Sequence, residues 1–361
     1  MSLVGSAAAS PPAGEVDGLE AIMRRGGAGL RRRMRHAEQH LERVTARAGS
    51  PLAAHANATV VAGGKRLRPL LVVLAAESAG GPVGSPAVGE VGGPANPSDG
   101  EQRLVRAAVA VELVHSATLV HDDVIDGARL RRGRPTVAAQ AGREAAVATG
   151  DLLFSRAFAE LARNEDPAQL RALSQASSAL AQGELLQRED AYAAHVPVAR
   201  YLERCELKTA ALFEAACRLG ALVAREGSPA LADALGAFAR RIGLAFQMLD
   251  DVLDVSGPVE RTGKARGTDL LDGTVTLPLI LARERDPRLA AFDLGALRGL
   301  SGARRAEELC ERIAATGALD EARERALAVV AEAKAALPAV LPEGRAALLE
   351  LVADAVVERY R

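Results

Sequence analysis

The stretch Leu104–Asp126, LVRAAVAVELVHSATLVHDDVID, decides the fold of this chain. It is apolar and rich in alanine, which is typical of a buried helix, yet it ends in the acidic pattern DDVID. A similar pattern, DDVLD, ends a second apolar stretch at Asp250–Asp254. On a helix, the first and last aspartates of each pattern are four residues apart and share one face. The sequence therefore predicts two acidic faces at the ends of two buried helices.

Carboxylates at these positions require a cationic partner. They stand beside apolar packing and at the helix end whose dipole repels anions, by roughly 0.3–1 kcal/mol each. The aspartates concerned are Asp122, Asp123, Asp126, Asp250, Asp251 and Asp254. Mg2+ takes oxygen ligands and is usually bound together with the phosphates of a substrate. The two acidic patterns therefore predict a magnesium site.

The composition is that of an ordinary soluble globular protein. Of the 361 residues, 49% are hydrophobic and 25% are charged, which allows a sizeable core. The net charge of −1 provides no overall attraction to nucleic acid or to anionic lipid. The three cysteines are widely spaced, which favours reduced thiols over a disulfide framework. We therefore expect a cytoplasmic protein that has no nucleic-acid partner.

Neither the N-terminal segment nor the most apolar stretch predicts a membrane protein. Residues 1–18 lack the basic-then-apolar layout of a secretory signal, and we expect them to be disordered. The stretch Leu104–Val120 contains Arg106, Glu112 and His115, so it is interpreted as a core helix and not as a membrane span. The sequence therefore predicts no transmembrane segment.

Helical periodicity continues along most of the chain, and no strand alternation persists. The predicted helices lie near residues 19–48 (broken at 26–27), 52–62, 66–79, 103–126, 137–163, 168–194, 198–225, 228–256, 275–285, 303–316, 319–336 and 343–360. Glycine and proline concentrate at residues 80–100, which we expect to form a disordered loop. Residues 19–361 are therefore predicted to form one all-α domain, in which the two acidic patterns lie on facing helices of a bundle.

Two basic segments are suited to bind phosphate. In Gly63–Pro69, GGKRLRP, the glycines free the backbone and the proline suits a first helical turn, so that Lys65 and Arg68 lie beside exposed helix N–H groups. The segment Arg129–Thr136, RLRRGRPT, directly follows the first acidic pattern, and planar guanidinium groups suit phosphate. Taken alone, either segment is better explained by solvated surface residues. Beside an acidic metal-binding pattern, diphosphate recognition is favoured.

Together these segments resemble those of the trans-isoprenyl diphosphate synthases, the polyprenyl synthetase family. The matching motifs follow the order of the family: GGKRLRP at Gly63, HSATLVHDDVID ending at Asp126, LRRGRPT at Leu130, LKTA at Leu207, FQMLDDVLDVSG at Phe246 and TGKARGTDLLDGTVTLP at Thr262. The resemblance covers most of the chain, from about residue 18 to residue 361. It implies a single large helical bundle of the isoprenoid synthase type with a central apolar cavity, and it implies a homodimer.

The resemblance further implies a Mg2+-dependent prenyltransferase that joins isopentenyl diphosphate to an allylic diphosphate and releases diphosphate. The six aspartates of the two acidic patterns are implied to hold the metal. The residues implied to contact the allylic diphosphate are Arg131, Lys208 and Lys264. Those implied to bind the diphosphate of isopentenyl diphosphate are Lys65, Arg68, His115 and Arg132. The residues implied to line the reacting centre are Thr209 and Gln247. Catalysis is implied to depend most directly on Lys208, Asp122, Asp123, Asp126, Asp250 and Asp251.

The use of lysine supports these roles independently. The chain has four lysines against 41 arginines, and three of the four fall at positions that the family uses for diphosphate. The fourth, Lys334, is interpreted as a solvated surface residue. One departure concerns Thr274, which stands where the family often has a further lysine. One diphosphate contact is therefore lost or replaced.

Product length is expected to depend on the residues one turn or more before the first acidic pattern. Short-chain synthases of the family resemble one another in placing an aromatic residue there, and it blocks the growing chain. Here the corresponding positions are Thr118 and Ala117, with Val114 further upstream, and none is aromatic. A long-chain polyprenyl diphosphate, the precursor of a quinone side chain, is therefore expected. A geranylgeranyl- or farnesyl-type product remains the alternative if another helix or a partner subunit closes the channel.

Two other functions are less consistent with the sequence. A terpene cyclase would guide migrating carbocations with aromatic faces, and only 2% of this chain is aromatic. It would also have no use for the second diphosphate site at Lys65 and Arg68. A non-catalytic subunit of a synthase would be expected to carry eroded acidic patterns, whereas both patterns are intact here.

Overall fold

The computed structural model of the chain describes residues 13–46, 51–81, 98–257, 266–299, 301–342 and 344–358. Its α-helices are α1 (Ala13–Arg25), α2 (Gly27–Ala46), α3 (Pro51–Val61), α4 (Leu67–Ser78), α5 (Asp99–Ile125), α6 (Val137–Ala141), α7 (Arg143–Ala162), α8 (Pro167–Glu189), α9 (Val198–Cys205), α10 (Ala211–Val223), α11 (Pro229–Ser256), α12 (Thr268–Leu271), α13 (Leu277–Arg285), α14 (Pro287–Ala290), α15 (Gly302–Ala314), α16 (Ala318–Ala336) and α17 (Ala347–Glu358). A π-helical segment occupies Glu206–Ala210, and short 3-10 turns occupy Leu294–Leu297 and Leu337–Ala339. The prediction of an all-α bundle is confirmed.

Helix α5 forms the centre of the bundle. It packs most extensively against α7 and also contacts α2, α4 and α10, while α11 packs against α10 and α16. The apolar residues of α5 are almost all buried, including Leu104, Leu113 and Val114. This helix is long and apolar enough to cross a membrane by length and composition, but 72% of the apolar window lies buried inside the protein. Burial on every side explains why its sequence lacks an amphipathic pattern.

Small residues allow the central helices to approach closely. A Cβ added to Gly220 of α10 would lie 2.1 Å from the carbonyl oxygen of Val72 on α4. A Cβ added to Gly243 of α11 would lie 2.8 Å from Cα of Ala210 in the π segment. Both distances are too short for a side chain, so these two glycines set the spacing of the helices that surround the site.

The long helices begin at side-chain caps that the sequence supplies. Ser98 accepts a hydrogen bond from the backbone N–H of Glu101 at 3.2 Å at the start of α5. Ser228 accepts one from Leu231 N–H at 3.1 Å at the start of α11, where a proline occupies the first turn. Each cap satisfies an N–H group that has no partner within the helix and contributes about 1 kcal/mol.

The structure corrects several predicted boundaries. Helix α1 begins at Ala13, inside the segment 1–18 that we predicted to be disordered, while residues 1–12 lie outside the described residues. The predicted helix 137–163 is two helices, because Gly142 adopts a φ of 91° between them. The predicted helix 168–194 ends at Glu189. Most of the predicted loop 80–100 also lies outside the described residues.

The basic segment after α5 forms a hairpin, which sequence periodicity does not predict for so short an element. Strand β1 (Leu130–Arg131) pairs antiparallel with β2 (Arg134–Pro135). The two residues at the turn, Arg132 and Gly133, have φ values of 52° and 73°. Two-residue hairpin turns favour such positive values because their twist matches that of the strands. The hairpin fixes the direction in which the arginines of this segment project.

Candidate active site

The first acidic pattern lies at the C-terminal end of α5. Asp123 is buried and accepts a hydrogen bond of 2.7 Å from Nε of Arg131 on β1. Asp122 is half-buried, and burial raises its pKa to about 6, although the nearby Lys208 opposes that rise. Asp126 is more exposed and forms an ion pair with Arg188 of α8. The three carboxylates therefore already face cationic groups from three different elements.

The second acidic pattern lies near the end of α11 and is supported by a buried network. Asp251 is buried and accepts hydrogen bonds of 2.7 Å from the hydroxyl of Tyr201 and of 2.7 Å from the side-chain amide of Gln247. Burial, with the charge of Asp269 adding to it, raises the pKa of Asp251 to about 8. Asp254 accepts a hydrogen bond from the backbone N–H of Asp269 at 3.2 Å. The Asp254 carboxylate thereby contacts the first turn of α12.

The π-helical segment Glu206–Ala210 brings two predicted site residues between the acidic patterns. The Thr209 hydroxyl donates a hydrogen bond of 2.7 Å to the amide oxygen of Gln247. Lys208 forms an ion pair with Glu184 of α8. A π segment widens one turn of a helix and is frequent at functional sites. Here it allows Lys208 and Thr209 to face the same pocket.

A pocket of about 900 Å3, open to solvent, lies between these elements. Its lining includes residues of both acidic patterns, of the π segment and of the loop before α13, namely Asp126, Lys208, Thr209, Gln247, Asp251 and Thr274. The structure thus brings together residues that are far apart in the sequence. Asp250 is half-buried on α11 beside them. Lys264 lies outside the described residues.

The donor chemistry of this pocket suits a hard divalent cation. Within the described residues, no three acidic, histidine or cysteine side chains stand close enough together to hold an ion as they are placed. The carboxylates of Asp123 and Asp126 are instead paired with Arg131 and Arg188. Asp251 is a buried oxygen donor whose charged form is disfavoured without a cation. The residues fit such an ion provided that the internal cations give way.

A second site, rich in basic residues, lies along α5, the first turn of α4 and the loop before it. Arg68 is half-buried with its Nε shielded from solvent, and its guanidinium carbon lies 5.0 Å from the ring centre of Phe213. Within the described part of the chain, Arg68 Nε has no hydrogen-bond partner. Burial lowers the pKa of Arg68 to about 10, although Glu112 opposes this effect. A guanidinium with an unused donor shielded from solvent indicates a site for an anion.

His115 and Arg132 extend the basic site. The pKa of His115 is well below its ordinary value because the ring is buried and because Arg68, Arg132 and Arg131 lie near it. A Cβ added to Gly64 would lie 3.2 Å from Nη1 of Arg132, so the hairpin tip contacts the glycine loop. Lys65 is exposed on that loop. The two basic motifs therefore meet.

Arg66, between the two predicted ligands, has a structural role. It adopts a φ of 50° and donates two hydrogen bonds, of 2.9 and 2.8 Å, to Glu38 of α2. It also donates to Glu112 of α5 and to the Val60 carbonyl of α3, each at 2.8 Å. Its donors are thus used inside the protein.

The three residues expected to influence product length all lie on α5. Val114 and Ala117 are fully buried, and Thr118 is half-buried. The hydroxyl of Thr118 donates to the backbone carbonyl of His115 at 2.8 Å, so it is satisfied within the helix. These side chains are small, as the sequence indicated. Whether they form the floor of a channel stays a prediction.

Three residues of the site were missed by sequence reasoning: Tyr201, Glu184 and Arg188. Tyr201 precedes Lys208 by two helical turns and is a tyrosine in a chain with 2% aromatic residues, which was a usable signal. Glu184 contacts both Lys208 and Arg188, and these cations outweigh the effect of burial and lower its pKa. Glu184 and Arg188 lie on a polar helix face, where no local pattern distinguishes them from solvated residues.

Comparison with known proteins places this site in a family. A family model described as polyprenyl synthetase matches residues 50–301. The heptaprenyl diphosphate synthase component 2 of Geobacillus stearothermophilus is 40% identical over 245 residues, which are 68% of this chain and 71% of that protein. The geranylgeranyl diphosphate synthase of Methanosarcina mazei is 35% identical over 305 residues, 83% of this chain and 87% of that protein.

Among solved structures, a polyprenyl synthase from Caulobacter crescentus, complexed with calcium and isoprenyl diphosphate, has a TM-score of 0.79 and 35% identity. The match covers 99% of this chain and all of that one. A likeness of this extent shows that the two proteins share the fold described above. With a family model that spans most of its length and relatives of this coverage, the chain belongs to the polyprenyl synthetase family.

Proposed function

We propose that the protein is a trans-prenyltransferase that condenses isopentenyl diphosphate with an allylic diphosphate. The observation that carries this proposal is the presence of two anion sites of different character on one helix. The pocket at Asp126, one helical turn beyond Asp122, mixes carboxylates with cations, whereas the site at His115 and Arg68 is basic. His115 and Asp122 are two turns apart, which is about 10 Å along α5. Two diphosphate substrates could thus bind side by side.

The members of this family are generally dependent on a divalent metal, and we propose that the metal here is Mg2+. The aspartates of both patterns would hold it, and it would neutralise charge on the departing diphosphate. Lys208 and Arg131 lie where they add fixed positive charge to the same leaving group. Asp251 is held for this task by Tyr201 and Gln247.

The reaction that these groups support begins when the allylic C–O bond breaks and its electron pair leaves with the diphosphate. The double bond of isopentenyl diphosphate then forms the new C–C bond with the allylic carbon. A proton is then lost to restore an alkene, and the departing diphosphate accepts it. Thr209 and Gln247, whose side chains are fixed by their mutual hydrogen bond, border the place where charge develops.

We further propose that the product is a long-chain all-trans polyprenyl diphosphate that serves as a quinone side-chain precursor. The small side chains of Val114, Ala117 and Thr118 support this length, because they leave α5 without an aromatic block. The names of the two relatives differ in product length, heptaprenyl in one and geranylgeranyl in the other. A shorter product is therefore the alternative. A cytoplasmic homodimer is part of the proposal.

The direct test is incubation of the purified protein with Mg2+, labelled isopentenyl diphosphate and a series of allylic primers, followed by mass analysis of the products. In the variants Asp122→Ala and Asp250→Ala, turnover is expected to fall by orders of magnitude, because each removes a predicted metal ligand. Circular dichroism should show an intact fold. Asp320→Ala, which removes an exposed carboxylate of α16, is the matched control. Unchanged turnover in either site variant would contradict the metal role.

A further inference from the structure

We propose that Arg188 is an internal cation that occupies the carboxylate of Asp126 and transfers to the substrate diphosphate when a metal ion binds. The proposal rests on the function proposed above and deepens it. It gives a role to a residue on α8 that lies outside every motif of the sequence analysis.

The first observation is the position of Arg188 across the pocket. Its Nη2 pairs with Asp126, the last aspartate of the first acidic pattern, while its Nε lies 3.0 Å from an oxygen of Glu184. The side chains of Arg188 and Asp126 are about one third exposed, so neither is locked into the core. The contact joins α8 to the end of α5. The contact therefore pairs Asp126 with a cation, and it can be exchanged because both side chains are partly exposed.

The second observation is that this pair belongs to a chain of alternating charges. Glu184 contacts Arg188 with one oxygen and Lys208 with the other. The order Asp126, Arg188, Glu184, Lys208 thus places two anions against two cations along one wall of the pocket. The charges balance without a substrate. When a divalent ion binds the carboxylate of Asp126, this balance is lost. The N–H groups of Arg188 that were bonded to Asp126 are then available to another acceptor.

The third observation concerns Thr274, an uncharged residue of the same pocket. Thr274 and Arg188 both line the pocket, and the neutral hydroxyl of Thr274 brings no charge to it. Its backbone N–H is bound to the Asp269 carbonyl at 2.8 Å, which fixes the loop that carries it. Arg188 supplies positive charge to the same space from another element. A planar guanidinium can bind a diphosphate with two parallel hydrogen bonds.

The exchange couples the two binding events. A metal ion at Asp126 must displace Arg188, so in the absence of diphosphate the arginine competes with the ion. Once diphosphate is present, the displaced guanidinium binds it. Arg188 then favours binding of the metal ion instead of opposing it. Metal and diphosphate should therefore each increase the affinity for the other, as thermodynamic linkage requires. An apoprotein with Arg188 in place should bind the ion weakly until the second ligand arrives.

The variant Arg188→Gln separates these two effects. We expect it to bind Mn2+ alone more tightly, by roughly threefold or more, when free ion is measured by electron paramagnetic resonance. We expect inorganic diphosphate, titrated calorimetrically in the presence of Mn2+, to bind roughly tenfold more weakly, because one charge-assisted contact is lost. The opposite signs distinguish the exchange from general damage to the site.

Two further variants serve as controls. Arg171→Gln removes the same charge from an exposed position of α8 and should change neither affinity. Arg188→Lys keeps the charge and should restore part of the affinity for diphosphate. If Arg188→Gln leaves either dissociation constant unchanged, or weakens the binding of Mn2+ alone, the proposal is overturned. If these shifts are found but no prenyl product forms with any primer, the exchange stands and the proposed function fails.

Discussion

At the scale of single residues, Asp251 shows how the site holds a carboxyl group that the protein alone does not favour as an anion. The side chain is buried, and its two oxygens accept hydrogen bonds from Tyr201 and Gln247. These bonds favour the charged form, but burial outweighs them and raises the pKa to about 8. The metal-free protein therefore carries a proton at Asp251 near neutral pH.

This raised pKa leads to a prediction about stability. In the unfolded chain the carboxyl titrates near 3.8, so between about pH 4 and pH 8 the folded state binds more protons than the unfolded state. The free energy of unfolding should therefore fall as pH rises through this range. Since one pKa unit corresponds to about 1.4 kcal/mol, Asp251 should contribute a fall of at least about 1 kcal/mol. Urea denaturation at pH 5 and pH 8, with chelator present, measures it.

Asp251→Asn should reduce this fall, because an amide keeps the acceptor for Tyr201 but does not titrate. Asp122, whose pKa is raised to about 6, would account for part of what remains. Asp320→Asn, at an exposed position, should behave like the unchanged protein. An equal fall in the Asp251→Asn variant and the unchanged protein would show that Asp251 is already ionised in the folded state.

At the scale of the elements, the π segment and α8 depend on each other. Gly183 lies on α8 directly beneath Lys208, and a Cβ there would lie 2.5 Å from the Lys208 backbone nitrogen. The same turn of α8 carries Glu184, which pairs with Lys208. One glycine therefore permits the close approach that the next residue uses. The position of Lys208 in the pocket follows from this contact between two helices.

Gly183→Ala tests that dependence. The methyl group would press on backbone, which cannot rotate away, so the π segment must shift. We expect a loss of roughly 1–3 kcal/mol in the free energy of unfolding, as for other overpacked positions. Turnover should fall roughly tenfold or more, because displacement of a catalytic group by about 1 Å is costly. Thermal unfolding and steady-state assays measure the two effects.

The control is Gly29→Ala in α2. At Gly29 the nearest atom outside the helix backbone is a guanidinium nitrogen of Arg33 at 3.6 Å, so a methyl group fits. This variant should gain roughly 0.5–1 kcal/mol of stability from helix propensity and keep its activity. Normal stability and activity in Gly183→Ala would mean that α8 does not position Lys208.

At the scale of the whole molecule, the length of the product depends on the space inside the bundle. Ala117 is fully buried on α5, five residues before Asp122. Ala117→Phe should place a ring across the path of the growing chain, and the product distribution should shift to fewer isoprene units. Thr118→Phe, one position on, should act in the same direction if the first variant folds poorly. Mass analysis of products from one fixed primer measures the shift.

Ala335→Phe, at an exposed position of α16, is the control for adding an aromatic ring to a helix. It should leave the product distribution unchanged. If Ala117→Phe and Thr118→Phe fold and also leave it unchanged, the channel ends elsewhere, for instance on another helix or in a partner subunit. The expectation of a long-chain product would then lose its structural support.

Much of this architecture could be predicted from the sequence, because the information is local. Helical periodicity and the repeated acidic pattern identify α5 and α11. The glycine-rich basic segment predicts the start of α4. The break between α6 and α7 at Gly142 could also have been predicted, because glycine readily adopts a positive φ. The roles predicted for the basic residues came from the family resemblance and not from any geometry.

The rest could not be predicted because it depends on contacts between distant elements. The π segment looks like any helical turn until α8 packs against it at Gly183. The hydrogen bond from Tyr201 to Asp251 joins α9 to α11, and the pair of Arg188 and Asp126 joins α8 to α5. Neither partner of these pairs is marked by the residues around it. Such contacts follow from the fold as a whole.

The hydrogen bonds that Arg66 donates to three helices have a consequence for how the molecule unfolds. One guanidinium connects α2, α3 and α5 from the residue that precedes α4. Loosening α2 or α5 alone would separate Arg66 from Glu38 or from the buried acid Glu112, which is strongly destabilising. The four helices are thereby joined into one cooperative unit. The basic anion site includes Arg68 of α4 and His115 of α5. We therefore expect this site to be lost in a single step when the unit unfolds.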